Sequence, residues 1–356
     1  MLDLKPMNEL ELRHAFRFVE YGTAFEPSPG TIVLDVGRKT VPGVIDHHQA
    51  DAEPECTASL LAKYPSLVLD HVPSSETNPL TFITHKLPDF DALASIFLTL
   101  RLIETRTFDE GMAALAAYTK IVDSSSLPRK TDLAATPYGI LRGLFAGAKK
   151  SEDEINRDRL AEGLRFMRYL HAKAAEGRSI IEDRRLFLGL DRFERAMRKV
   201  DEDHLNYLED EHRSPVLLLS LPRSDGSGRK RVSGLAVDNP HSFLLKEWAR
   251  RERNRAPMGD GYTFVLSRFG TSRFILGVDP AAGVHLRGLG TILNAREAAR
   301  RAVLGLAAGP PWYEGDCPFF GHRIVDSPQE GSDLSAPEVL AAVLEFGEGR
   351  IVRSGA

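Results

Sequence analysis

Cysteine is almost missing from this chain: Cys56 and Cys317 are the only two among 356 residues. They lie far apart, with no His or Cys at zinc-ligand spacing. That argues against a disulfide framework and a structural zinc site, and leaves two buried or inert thiols. No apolar run is long enough to span a bilayer, and the opening Met-Leu-Asp-Leu-Lys-Pro has no basic segment followed by an apolar one. We therefore expect no membrane partner and a cytoplasmic location. Positive charge is in deficit too. A formal net charge of -4 argues against a protein that coats long double-stranded nucleic acid, which needs a basic field to neutralise phosphates. It leaves room for a short anionic substrate held by a metal and local arginines. The arginine-rich stretches at 228–231 and 250–255 read as a basic loop and a solvated helix face. Internal repeats and low-complexity tracts are also lacking.

What is present is an ordinary globular composition, 42% hydrophobic and 27% charged, in a chain long enough for two domains with cores. From residue 31 to about 125, short β-branched or apolar runs at 31–34, 44–45, 66–69 and 80–84 alternate with helical patterns at 93–104 and 109–121. This alternation predicts an α/β fold, a largely parallel sheet flanked by helices. Residues 151–213 are charged and helical, with Leu160, Leu164, Met167, Leu170, Ile181 and Leu186 at helical spacings, and read as a helical connector. A second, smaller α/β domain starts near Pro215. Its expected elements are a strand at 216–221, a surface loop at 222–231, a helix at 243–253, strands at 262–267 and 273–278, and a helix at 289–304. A loop-rich tail follows from 309, with a last helix at 336–346. The expected division is 1–150, 151–213 and 214–356.

Acids and imidazoles gather at the ends of the early apolar runs. The run at 31–34 delivers Asp35, and 44–45 delivers Asp46-His47-His48. The run at 80–84 delivers His85-Lys86-Leu87-Pro88-Asp89-Phe90-Asp91, and the helix at 109–121 delivers Asp123. Asp89 and Asp91 fall at a helix start, where acids complement the dipole. In open α/β sheets, the carboxyl ends of parallel strands converge on the crevice that binds ligands. Carboxylates and neutral imidazoles there can bind two divalent metals, a carboxylate bridging the pair. Metals about 3.5–4 Å apart suit displacement at phosphorus. The mixed oxygen and imidazole ligand set suits manganese better than calcium, with zinc, iron and cobalt left as alternatives.

These motifs together resemble the DHH phosphoesterases, a family that includes family II inorganic pyrophosphatases, single-strand exonucleases and nanoRNA or cyclic-dinucleotide phosphodiesterases. The resemblance covers roughly residues 31–125 and implies that Asp35, His85 and Asp89 hold one metal. Asp91, His47 and Asp123 would hold the second, with Asp35 bridging. His48 would contact the scissile phosphate or donate a proton, and Asp46 would orient a histidine. The order departs from the family pattern: there the His-x-x-x-Asp-x-Asp motif precedes the strand Asp and the Asp-His-His triplet, whereas here it follows both. Asp132 lies close enough in sequence to compete with Asp123.

Family members often add a carboxyl-terminal domain that grips substrate with glycines and basic side chains. Here the segment from Val284 to Gly290 opens a helix whose backbone N–H groups suit a phosphate, making Arg287, Gly288 and Gly290 candidates beside the alternative of a simple helix-start turn. Arg268 and Arg273 are poorer candidates. Asp70-His71, His204, His212, His241 and His322 read as structural or solvated, and Trp312-Tyr313 as packing. The expectation is a phosphohydrolase with two divalent ions, foremost Mn2+, acting on a short oligonucleotide or dinucleotide. The alternatives are a pyrophosphatase, or a catalytically inactive nucleotide-binding sensor. A homodimer is left open.

Overall fold

The computed structural model describes residues 13–74, 78–147 and 151–355. The fold is α/β with two mixed sheets. The chain divides into two compact units. Unit 1 runs up to Val200 and includes Cys317–Phe319; unit 2 takes Asp201–Asp316 and the chain from Phe320 onward.

In unit 1, strands β1 (Ala15–Val19), β2 (Thr31–Leu34), β3 (Thr40–Val41), β4 (Val44–Ile45) and β5 (Thr81–His85) form a five-stranded sheet in the order β1-β5-β2-β4-β3. The β1–β5, β5–β2 and β2–β4 pairs are parallel, and β3–β4 is antiparallel. The central strands are short, apolar and buried, as strands covered on both faces should be. Because β1, β5, β2 and β4 run the same way, their carboxyl ends share one edge.

Helices α1 (Thr57–Lys63), α3 (Phe90–Thr105), α4 (Glu110–Asp123), α5 (Pro137–Phe145) and α6 (Glu152–Ala175) complete the unit, with the single turn α2 (Ser66–Leu69). Almost every side chain of α3 up to Leu102 is buried. It packs against α1, α4 and α6 as well as the sheet, which explains its apolar sequence. Asp89 caps it, accepting from the Ala92 N–H (3.1 Å), and Arg106 in a left-handed conformation ends it.

Three local expectations are corrected. The run at 66–69 is helical, not extended: Pro65 starts the turn, and the Val68 and Leu69 N–H groups return to its carbonyl. Ile181 lies outside any helix and is exposed. The surface loop expected at 222–231 closes early, because Arg229 already pairs with Pro222. Helix α7 (Asp191–His212) runs through the boundary between the units.

Unit 2 holds a six-stranded sheet, β10-β9-β8-β7-β6-β11, built from β6 (Val216–Pro222), β7 (Arg229–Asp238), β8 (Tyr262–Phe269), β9 (Arg273–Val278), β10 (Ile324–Asp326) and β11 (Arg350–Arg353). Only β7–β8 is parallel. Helices α8 (Leu245–Arg251), α9 (Leu289–Leu304) and α10 (Ala336–Phe346) belong to it. Phe264, Phe274, Leu276 and Trp312 lie in its main core. No described helix is long and apolar enough to cross a membrane.

Candidate metal centre

Three strand ends and two helix ends build the centre in unit 1. Asp35 follows β2, Asp46-His47-His48 follow β4, and His85 ends β5. Asp89 and Asp91 start α3, and Asp123 ends α4. Asp35 adopts a left-handed backbone conformation (φ 60°), one that Asp tolerates better than most residues and that recurs at functional sites. Its side chain is buried. One oxygen lies 3.4 Å from His47 Nε2 and the other 3.3 Å from His85 Nε2, while the Thr57 hydroxyl donates to Oδ1 (3.1 Å).

Two triads result, each with ligand atoms mutually within 4.8 Å: Asp35 with His85 and Asp89, and His47 with Asp91 and Asp123. Asp35 also falls within that distance of His47 and His48. His47 Nε2 is 3.5 Å from Asp123 Oδ2 and 3.8 Å from Asp91 Oδ2. His85 is aimed by its other nitrogen, which donates to the Lys86 carbonyl (2.8 Å). That leaves Nε2 for the cluster.

Asp91 is held by the start of α1. The Thr57 and Ala58 N–H groups donate to its two oxygens (2.8 and 2.9 Å), and Ser95 Oγ donates at 3.3 Å. Asp123 Oδ2 is buried and accepts no hydrogen bond. A buried carboxylate oxygen without a donor is costly unless a cation serves it.

Protonation follows from this crowding. For Asp35 burial favours the neutral acid, but the His47 and His85 contacts win and hold it well below the usual carboxylate range. Burial likewise disfavours the imidazolium forms of His47 and His85. The neighbouring carboxylates outweigh it, raising His47 to about 10 and His85 to about 9. Burial and then the Asp35 charge push Asp91 up to about 7, and burial foremost raises Asp123. The cluster thus neutralises its acids with protons on its own imidazoles. A divalent cation would supply the same positive charge, displacing those protons. The buried Asp and His groups can hold a metal ion.

Asp46 and His48 form a neighbouring chain. The Asp46 carboxylate accepts from the backbone N–H groups of Arg38 (2.7 Å), His47 (2.8 Å) and His48 (3.3 Å) and contacts His48 Nδ1 at 2.6 Å. Burial opposes its ionisation, but His48 outweighs burial and the acid lies below its usual range. An ionised Asp46 makes His48 Nδ1 the protonated nitrogen and leaves Nε2 an acceptor. The Tyr21 hydroxyl donates to that Nε2, and the Tyr21 ring meets His48 and His85 edge-on (4.8 and 5.2 Å).

The structure therefore places Asp35, Asp46, His47, His48, His85, Asp89, Asp91 and Asp123 together in unit 1. Sequence reasoning missed Tyr21 and the Thr57–Ala58 amides. Tyr21 follows β1, itself unrecognised, and the helix start at Thr57 carries no capping side chain to mark it, since its N-cap is Cys56. Asp132, the competitor of Asp123, instead caps a short turn by accepting from Ala134 N–H (3.0 Å).

Arg287, Gly288 and Gly290 lie in unit 2 at the start of α9. An anion does sit at this helix start, but it is the chain's own: Glu314 Oε1 accepts from the Gly288 N–H and from Gly290 N–H (3.1 Å). The Arg287 N–H donates to His285 Nδ1 (3.2 Å). Compared with known proteins, the chain matches no family model, no curated protein and no solved structure.

Proposed function

We propose that this protein is a metal-dependent phosphohydrolase that cleaves a phosphodiester or phosphoanhydride in a short oligonucleotide or dinucleotide. The observation that carries the reading is the pair of acid–imidazole triads meeting at Asp35, one reaching to His85 and Asp89 and the other through His47 to Asp91 and Asp123. Such a paired set suits two divalent ions, and the oxygen and imidazole donors suit Mn2+. Bound there, the ions would polarise a phosphoryl oxygen and lower the pKa of water.

The remaining roles belong to the chain. Asp46 fixes the tautomer of His48, so that Nε2, on which the Tyr21 hydroxyl sits, is an acceptor when neutral and would be a donor toward a phosphoryl oxygen once protonated. The amides of Thr57 and Ala58 and the Lys86 carbonyl hold Asp91 and His85 in place, limiting reorganisation during the reaction.

The resemblance to DHH phosphoesterases supports the same chemistry, and the inverted motif order does not count against it. In the sheet order β1-β5-β2-β4-β3, β5 lies beside β2 whatever its place in the sequence. His85 therefore meets Asp35 as it would in either order.

The deciding assay is a screen of manganese-loaded protein against pyrophosphate, dinucleotides, cyclic dinucleotides, short RNA and single-stranded DNA, reading release of phosphate or mononucleotide. Hydrolysis that disappears in the double variant Asp89→Ala, Asp91→Ala is the expected result. No turnover on any substrate, or full turnover in the double variant, would sink the proposal.

A further inference from the structure

Beside the metal centre, α6 presents donors with nothing to receive them. Asn156 and Arg159 are three residues apart on that helix and so share a face. Both grip Leu87, which stands between His85 and Asp89 in a left-handed conformation (φ 53°) that an aliphatic side chain rarely adopts. The Leu87 N–H donates to Asn156 Oδ1 (2.6 Å), and Arg159 Nη1 donates to the Leu87 carbonyl (3.0 Å).

This clamp uses one of the five donors of Arg159. Its Nε is buried and makes no hydrogen bond, and Asn156 Nδ2, on a fully buried residue, makes none either. Among the described residues no carboxylate forms an ion pair with Arg159. The guanidinium lies over the Phe145 ring (5.1 Å), and its electrostatic neighbours are Arg142, a like charge, and Asp89. Arg159 is half-buried, and its buried Nε lacks the acceptor that a buried donor normally finds. Of the two charged groups that act on it, Arg142 is a like charge and Asp89 is a candidate metal ligand. Such a spot favours an anion that brings acceptor oxygens.

We propose that Arg159 and Asn156 form an anion subsite beside Asp89 that takes a phosphate group of the substrate. The assignment rests on the phosphohydrolase reading for its ligand. It adds that unit 1 holds substrate by its own guanidinium, independently of the helix start at Gly288. A planar guanidinium with free donors suits a phosphate in a forked pair of hydrogen bonds.

The test uses the full-length protein and inorganic phosphate as the probe, titrated calorimetrically without metal, alongside a manganese titration. Arg159→Met keeps an unbranched chain over Phe145 and removes the charge. Arg159→Lys keeps charge without the fork and guards against misfolding. Arg159→Met is expected to weaken phosphate binding by about tenfold or more while manganese affinity stays within about twofold, with Arg159→Lys intermediate. Unchanged phosphate binding in Arg159→Met would overturn the inference. So would a parallel loss of manganese and phosphate binding in both variants, since Arg159 would then only hold the Leu87 turn. Arg159-dependent phosphate binding by a protein that hydrolyses nothing would uphold the subsite and sink the phosphohydrolase reading. Hydrolysis with an unaltered KM in Arg159→Met would do the reverse.

Discussion

Two buried acid clusters, one in each unit, show what separates structural charge from a binding site. In unit 2, Asp203 is fully buried, yet every demand it makes is met. Ser242 Oγ (2.8 Å), the Phe243 and Leu244 N–H groups (2.9 and 3.0 Å) and Trp248 Nε1 (3.1 Å) all donate to it. Asp203 fastens the start of α8 to α7 and closes on itself. In unit 1, Asp35 and Asp91 are buried and Asp123 is half-buried beside them; Asp123 keeps a buried oxygen without a hydrogen-bond donor, and two imidazoles carry protons to offset the charge. Burial is common to both clusters. Only the second leaves a charge that an ion from outside can answer.

The comparison breaks most directly by substituting one acid in each cluster. Asp123→Asn removes a carboxylate that the fold would rather keep neutral, so in metal-free protein it is expected to raise stability by about 1 kcal/mol. It should also weaken manganese binding by about a hundredfold. Asp203→Ala removes the acceptor of five donors, Asn206 Nδ2 (3.4 Å) being the fifth, and is expected to lower stability by about 3 kcal/mol with manganese binding unchanged. Thermal melts and metal titrations of the two variants read both signs. If Asp123→Asn destabilises as Asp203→Ala does, the unit 1 cluster is structural as well.

Legibility in the sequence follows the same division. The strands at 31–34, 44–45 and 80–84 were readable because buried parallel strands are short apolar runs, and each delivers its acid or imidazole directly at its end. Unit 2 was readable wherever a strand or helix kept one period, as at 262–267 and 289–304. The strand β1 escaped because Ala15–Val19 is an edge strand with alternating exposure, and without it Tyr21 had no place near His48. At Gly288, a helix start has the same sequence whether its amides receive a phosphate or a glutamate from 26 residues away, so Glu314 was invisible. The donors of α6 were hidden for a similar reason. Asn156 and Arg159 sit in a charged helix, and only packing against Leu87 separates them from solvated neighbours.

Protons offer a finer discrimination between the clusters. His47 and His85 are raised to about 10 and about 9, so without metal both are charged at pH 8. Their contribution to stability is complete below the ordinary histidine value near 6.5 and is lost as pH rises through 9 to 10. Asp91, raised to about 7, keeps a proton that the unfolded chain releases near 4, so its effect also falls as pH rises across that interval. Metal-free protein should therefore lose stability steadily from neutral to alkaline pH. Manganese, which needs neutral imidazoles, should expel about two protons on binding at pH 8. Calorimetry in buffers of different ionisation enthalpy counts them. A count near zero would mean that the imidazoles are already neutral and that the acids find their counter-charge elsewhere.

The smallest effect concerns the outer end of the Asp46–His48 chain. Asp46 resembles Asp203 in its several donors, but the chain it starts runs out to the surface: His48 Nε2 meets the hydroxyl of Tyr21, a residue 39% exposed. A phosphoryl oxygen that engages His48 Nε2 must displace that hydroxyl, at the cost of one hydrogen bond. Tyr21→Phe keeps the ring against His48 and His85 and removes only the competing donor. Because one such bond is worth about 1 kcal/mol net, KM should fall severalfold at most while kcat and manganese affinity hold. A large loss of kcat would make the hydroxyl part of the chemistry. A loss of stability comparable to that of Asp203→Ala would place Tyr21 in a closed set, and the contrast between the two clusters would no longer extend to His48.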